Sequence, residues 1–250
     1  MNLMRNLLIR TKTFAKTLST AGKMDDMSAF RISYNPKEPM DIDNLPSKDP
    51  MELFDLWFKE ISSSEEVREP NAMTLATCNR KCEPSARMVL LKGYDSAGFR
   101  FFTDYDGRKG QELAENSNVA LVLYWRPFHR QVRVEGTTEK LSPEECDQYF
   151  HSRPHGSQLA ASASNQSTIL PSYQVLIDKY AQLQEQYPTD SDVVPRPQNW
   201  GGYLVKPKAI EFWEGHTNRL HRRLLFSREK PEDEHVKAGL NGWHYCVLSP

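Results

Sequence analysis

Three runs near the middle of the chain decide the fold: Ala72-Met-Thr-Leu-Ala-Thr-Cys78, Ser85-Ala-Arg-Met-Val-Leu-Leu-Lys-Gly93 and Phe99-Arg-Phe-Phe-Thr103. Each has a strand pattern of aliphatic, aromatic and β-branched residues, and the breaks between them, 79–83 and 95–98, carry turn formers. In succession they read as an antiparallel meander. The pattern continues at Val119–Trp125 and Gln131–Thr137. In the latter run Val132 and Val134 point one way, and Gln131, Arg133 and Glu135 the other. Gly202–Val205, Ala209–Trp213, Arg219–Phe226 and Trp243–Leu248 read as further strands, with a charged loop over residues 228–242.

Helices are inserted between these strands. Asp49 precedes Pro50, and Leu53, Phe54, Trp57 and Ile61 follow at helical spacing. A short helix fits Arg108–Glu115. Ser142-Pro143-Glu144-Glu145 combines a capping serine, a first-turn proline and a third-position glutamate. That helix carries Tyr149 and stops before Pro154. Another fits Tyr173–Tyr187. Many antiparallel strands with helices between them predict an α+β fold built on a closed or partly closed antiparallel β-barrel with peripheral helices.

Composition narrows the function. The 250 residues carry a net charge of −1, with 26% charged and 38% apolar residues. That balance argues against a general nucleic-acid binder, and no apolar run approaches the ~20 residues of a membrane span. Cys78, Cys82, Cys146 and Cys246 lack the spacing of a metal site and read as free thiols. His216 and His221, five apart in a predicted strand, should face opposite ways, which argues against zinc. Residues 1–24 are basic and contain no acid, and Leu3, Leu7, Phe14 and Leu18 share one helical face. This is the pattern of a mitochondrial targeting segment, the alternative being a basic extension of a cytoplasmic protein. Residues 25–48 read as a mobile arm, and residues 49–250 as the folded domain.

Cations recur inside the apolar strands, at Arg87, Lys92, Arg130 and Arg133, although the chain has no general excess of them. Arg153–Ser167, poor in apolar residues, adds a guanidinium and many hydroxyl and amide groups. It reads either as a polar surface loop or as part of an anion site. No G-x-G-x-x-G or Walker loop is present, so phosphate would be held by side chains. Arg87, Lys92, Arg108, Lys109, Gln131, Gln166 and Ser167 form one candidate group, and Tyr149, Arg153 and Ser157 another. Two phosphate sites would suit a phosphorylated cofactor beside a phosphorylated substrate.

Arg87–Lys92 (RMVLLK), Phe102-Thr103 with Arg108-Lys109, Arg130–Gly136 (RQVRVEG) and Tyr149–Ser157 (YFHSRPHGS) resemble the pyridoxine/pyridoxamine 5′-phosphate oxidase family. Gln166-Ser167, Trp200-Gly201-Gly202 and Glu211–Arg223 (EFWEGHTNRLHRR) extend the resemblance from about residue 29 to the C-terminus. It implies a split-barrel homodimer with FMN at the interface. It also implies oxidation of pyridoxine 5′-phosphate and pyridoxamine 5′-phosphate to pyridoxal 5′-phosphate, with O₂ as acceptor and H₂O₂ as product.

Residue by residue, the resemblance assigns FMN to Arg87, Met88, Val89, Leu90, Phe102, Thr103, Arg108, Lys109, Gln131, Gln166, Ser167, Trp213 and Arg223. The substrate phosphate falls to Lys92, Tyr149, Arg153 and Ser157. Arg219 and His221 would flank the pyridine ring as the catalytic pair, and Arg31 and Tyr34 would close over it from the arm. Arg133 reads instead as a barrel-wall residue paired with Glu135. The chain departs from the family pattern at Arg222, where aspartate is usual, and at Glu214, where glutamine, histidine or glycine is expected. It departs again at Gly107, where serine is usual, at Ala160, where glycine is usual, and in the C-terminal Cys246–Pro250. These changes raise an alternative, a catalytically weakened paralogue that binds FMN or pyridoxal phosphate.

Overall fold

The computed structural model describes residues 33–34, 36 and 39–250. Asp49 starts helix α1 (Pro50–Ser62) by accepting the Met51 amide at 2.7 Å, and Pro50 sits in the first turn, where no amide partner is required. Leu53, Phe54, Trp57 and Ile61 form its buried stripe. Phe54 meets Phe99 edge-on at 5.0 Å, and Trp57 meets Phe212 at 5.1 Å, so α1 is part of the barrel core.

The sheet begins with β1 (Ala72–Cys78), β2 (Pro84–Leu90), β3 (Gly93–Asp95) and β4 (Gly98–Asp104). Helix α2 (Arg108–Glu115) leads into β5 (Asn118–Trp125) and β6 (Arg130–Lys140). Helices α3 (Pro143–Ser152), α4 (His155–Ala163) and α5 (Tyr173–Gln186) precede β7 (Trp200–Glu214), β8 (Arg222–Ser227), β9 (Lys237–Ala238) and β10 (His244–Val247). The order is β2-β1-β5-β6-β7-β8-β10-β9, with β4 paired to both β3 and β7.

The 15-residue strand β7 splits the barrel. One edge pairs with β6, from Tyr203 to Glu214. The other edge pairs first with β4, over Trp200–Val205, and then with β8, over Ala209–Glu214. Because β2 and β3 are separated only by Leu91 and Lys92, the path β1-β5-β6-β7-β4-β3 returns to β2 and closes. At the β6–β7 bulge a Cβ on Gly136 would lie 2.1 Å from the Lys206 carbonyl oxygen, which only glycine avoids.

Four expectations are corrected. The three runs do not form a simple meander: β1 pairs with β2 and β5, and β4 crosses to β7. Gly202–Val205 and Ala209–Trp213 are one strand, continuous through Pro207 opposite the bulge. Arg153–Ser167 is not merely a polar loop, because α4 lies within it and buries Gln158, Leu159 and Ala163. Arg219 and His221 precede β8: Thr217–Arg219 is a 3₁₀ turn in which Asn218 and Arg219 take φ of 58° and 61°. That turn folds the chain back, so the His216 amide donates to His221 Nδ1 at 3.1 Å instead of the two residues facing apart. Among the described residues there is no cluster of three metal-ligating side chains, and no helix is long and apolar enough to cross a membrane. The basic segment 1–24 and Arg31 lie outside the described residues.

Candidate active site

Two constellations hold the predicted residues. The first surrounds a cavity of about 590 Å³ between β2, β4, α3 and α4. Met88, Val89, Leu90 and Lys92 come from β2 and the residues after it, Phe102 and Thr103 from β4, and Lys109 from α2. Tyr149, Arg153 and Ser157 enter from α3 and the start of α4, and Gln166 from the turn beyond. The capping box of Ser142 and Glu145 fixes α3, which places Tyr149 on the wall and Arg153 at the helix end.

Charge in this cavity is unbalanced. Among the described residues, Lys92, Lys109 and Arg153 line it, against Asp104 as the acid. The Asp104 carboxylate is already engaged by the Asp106 amide at 2.8 Å, Asn199 Nδ2 at 3.1 Å and the Gln166 amide at 3.2 Å. Arg153 packs 4.8 Å over the Trp200 ring, and its buried Nη1 has no partner among the described residues. Burial holds the Arg153 guanidinium below its ordinary pKa. A buried guanidinium nitrogen left unpaired is costly, and an anionic ligand would satisfy it. Phe102 and Tyr149 stack at 3.8 Å with Trp200 beyond, giving an aromatic wall.

At the α2 end, Lys109 Nζ donates to Thr103 Oγ1 at 3.2 Å and to Gln166 Oε1. Burial, then the neighbouring Arg87, pushes the Lys109 pKa down. Ser167, at φ 69°, accepts the Arg108 amide at 3.2 Å and so serves the start of α2, where Gly107 offers no side-chain cap. A Cβ on Gly107 would come within 2.8 Å of Gln166 Oε1, so the glycine leaves that space to the Gln166 amide.

One residue the sequence reading missed is Glu112. Its carboxylate takes Ser85 Oγ at 2.6 Å, Arg108 Nε at 2.9 Å, Arg87 Nη2 at 3.2 Å and the Thr77 hydroxyl. Burial pushes its pKa up. Hydrogen bonds from Ser85, Thr77 and Arg108, together with the charge of Arg87, outweigh that and hold it at about 2. One buried anion thus fixes two arginines assigned to the cofactor.

The second constellation lies across the sheet. Tyr124, Gln131, Trp213 and Arg223 face one another in register across β5, β6, β7 and β8. Arg223 is held by Glu211 at 2.7 Å and 3.2 Å, and Arg133 joins Glu211 at 2.9 Å as well as Glu135 at 3.3 Å. His221 lies 4.9 Å from Trp213, and Tyr34 meets His129, His221 and Trp213 edge-on at 4.8, 5.7 and 5.8 Å. His129 is a second residue missed. It takes a left-handed φ of 51° after a 3₁₀ turn, a placement no sequence period announces. Burial, then Arg219 and His216, lowers the His221 pKa. The His216 amide occupies its Nδ1, so the neutral ring carries its proton on Nε2.

Among the described residues, none of the second constellation lines the first cavity. Gly202, opposite Phe102 in the β4–β7 register, is eleven residues from Trp213 along β7, or roughly 35 Å at ~3.3 Å per residue. The profile of the pyridoxamine 5′-phosphate oxidase family matches residues 62–187, and that of the pyridoxine 5′-phosphate oxidase C-terminal dimerisation region matches residues 200–250. The chain belongs to the pyridoxine/pyridoxamine 5′-phosphate oxidase family. It is 44% identical to pyridoxine-5′-phosphate oxidase of Bos taurus over 239 residues, covering 93% of this chain and 91% of that protein. It is 50% identical to the pyridoxine/pyridoxamine 5′-phosphate oxidase of Salinibacter ruber over 183 residues, covering 73% of this chain and 84% of that one. Among solved structures, PhzG from Burkholderia lata, in complex with tetrahydrophenazine-1-carboxylic acid, superposes with a TM-score of 0.73. It is 31% identical and covers 82% of this chain and 94% of its own. Membership in this oxidase family accounts for a split barrel whose C-terminal strands belong to a dimerisation region.

Proposed function

We propose that this chain is an FMN-dependent oxidase that converts pyridoxine 5′-phosphate and pyridoxamine 5′-phosphate to pyridoxal 5′-phosphate, acting as a homodimer. The observation that carries this reading is the cation-rich cavity, with its single, already engaged acid and the unpartnered Nη1 of Arg153. The alcohol and O₂ give the aldehyde and H₂O₂; the amine, water and O₂ give the aldehyde, ammonia and H₂O₂. Bound FMN supplies the two-electron acceptor between C4′ of the substrate and O₂.

The chain supplies binding and orientation. Lys92, Arg153 and Ser157, with Tyr149, hold the substrate phosphate, and the N-terminus of α4 adds its amides to the same anion. Anchoring the phosphate away from the reacting carbon fixes where C4′ lies. Arg87, Arg108, Lys109, Thr103, Gln166 and Ser167 hold the FMN phosphate, with Glu112 presetting both arginines. Met88, Val89, Leu90 and Phe102 border the flavin. Gln131, Trp213 and Arg223 of the second copy complete its site, and Arg219 and His221 of that copy flank the pyridine ring. His221, neutral with its proton on Nε2, offers a donor there.

The test supplies each phosphate ester to purified, FMN-loaded protein and follows aldehyde and peroxide together. Equal yields of both from either substrate are expected. Tight FMN binding without aldehyde would sink the oxidase reading and leave a binding protein.

A further inference from the structure

Two of the departures from the family pattern, Glu214 and Arg222, face each other at the end of the β7–β8 ladder. Both reach the same residue of the N-terminal arm. Glu214, fully buried, accepts the Met40 amide on Oε1 at 2.7 Å. Its Oε2 accepts Arg130 Nε at 3.1 Å, and Arg130 in turn packs 4.6 Å over Trp57 and pairs with Glu60 at 2.7 Å. Arg222 Nη1 donates to the Met40 carbonyl, and its side chain shares a recess with Asp41 and Asp43. The Met40 side chain is buried in the barrel core. One residue of the arm is therefore gripped at its amide, its carbonyl and its side chain.

Six residues before Met40, Tyr34 lies against His129, His221 and Trp213. Gly215, next to Glu214, makes room for it: a Cβ there would come within 2.9 Å of the Tyr34 ring. We propose that Glu214 and Arg222 are positioning residues that clasp the arm at Met40 and thereby hold Tyr34 over the His221–Trp213 end of the substrate site. This rests on reading that site as the one for the pyridine ring. An aspartate at 222 would set an acceptor against the Met40 carbonyl, so the arginine found here is the residue type the grip requires.

The clasp is read by hydrogen exchange of the Met40 amide and by equilibrium binding of pyridoxine 5′-phosphate to FMN-loaded protein, neither of which needs turnover. Arg222→Ala should speed exchange at Met40 and weaken substrate binding about tenfold, the scale of one lost charge-assisted hydrogen bond, while FMN affinity stays within about twofold. Arg222→Lys should restore most of the loss. Because the effect runs through Tyr34, Tyr34→Ala should weaken binding to a similar degree, and the double variant should be no worse than either single one. Additive losses, equal loss of FMN, or faster exchange with unchanged substrate binding would overturn the proposal. Wild-type protein that binds the ester but does not oxidise it would overturn the oxidase reading alone. Failure to bind the ester would overturn both.

Discussion

Arg153 shows how much a single orphaned atom constrains function. Its Nη1 is buried without a partner beside Trp200, so the folded chain leaves its desolvation uncompensated unless an anion arrives. Arg153→Ala should therefore weaken pyridoxine 5′-phosphate binding by roughly ten- to a hundredfold and leave FMN affinity nearly unchanged. A titration of each ligand checks this, and equal losses would assign Arg153 to the flavin. Glu112 makes the opposite case, an anion whose partners are all present. Its folded pKa of about 2 lies below the ordinary 4.5, so its contribution to stability is present above that ordinary value and is lost as pH falls toward 2. Glu112→Gln should flatten the acid-unfolding curve between those values and weaken FMN binding, because Arg87 and Arg108 lose their common anchor. An unchanged acid limb would mean that other carboxylates dominate. Arg153 was legible in the sequence because it sits in a long family-like motif. Glu112 was not, since on a short helix a glutamate reads as solvent-facing until the strand beside it is placed.

At the scale of elements, legibility followed the strength of local signals. The capping box at Ser142, the proline-led start of α1 and the alternation in β6 each appear where the pattern put them. Helix α4 was missed because its buried stripe is only Gln158, Leu159 and Ala163, set among serines and alanines that carry little periodicity. The Thr217–Arg219 turn was missed for a different reason. Asn218 tolerates the left-handed region, but Arg219 has no intrinsic preference for it, so local sequence does not announce the turn. This turn, not strand alternation, brings His221 beside Trp213. The capping box also carries a functional load, since α3 ends at Arg153. Ser142→Ala should cost about 1 kcal/mol and lower the melting temperature by a few degrees. Because Ser142 bonds the Glu145 and Cys146 amides and none of the residues assigned to FMN, flavin affinity should be unchanged in the same sample. Loss of FMN with no thermal shift would contradict that division.

For the whole molecule, the C-terminal dimerisation region and the separation along β7 point to the same oligomer, a dimer. The phosphate cavity and the Trp213–His221 face lie toward opposite ends of β7, roughly 35 Å of strand apart, and the proposed function places both around one flavin and one substrate. In the proposed function, two-fold association sets the cavity of each copy against the other's face and completes both sites at once. Met88, 63% exposed on β2, and Tyr124, 47% exposed beside Gln131, are apolar surface that such an interface would cover. Light scattering of the holoprotein should then give about twice the 28.9 kDa chain mass.

Complementation is the sharper test. Arg153→Ala damages the cavity half of a site and His221→Ala the face half, so each variant alone should have two damaged sites and little activity. In a mixed dimer one site gathers both lesions and the other gathers neither. If the two chains are co-expressed equally and pair at random, half the dimers are mixed and half of their sites are intact. About a quarter of wild-type activity should therefore return, carried by sites with wild-type KM. Activity that stays at the level of the single variants, in protein shown by mass to contain mixed dimers, would mean that both halves of a site lie in one chain. Phe102, paired with Gly202 near one end of β7, and Trp213, at the other end, predict the recovery instead.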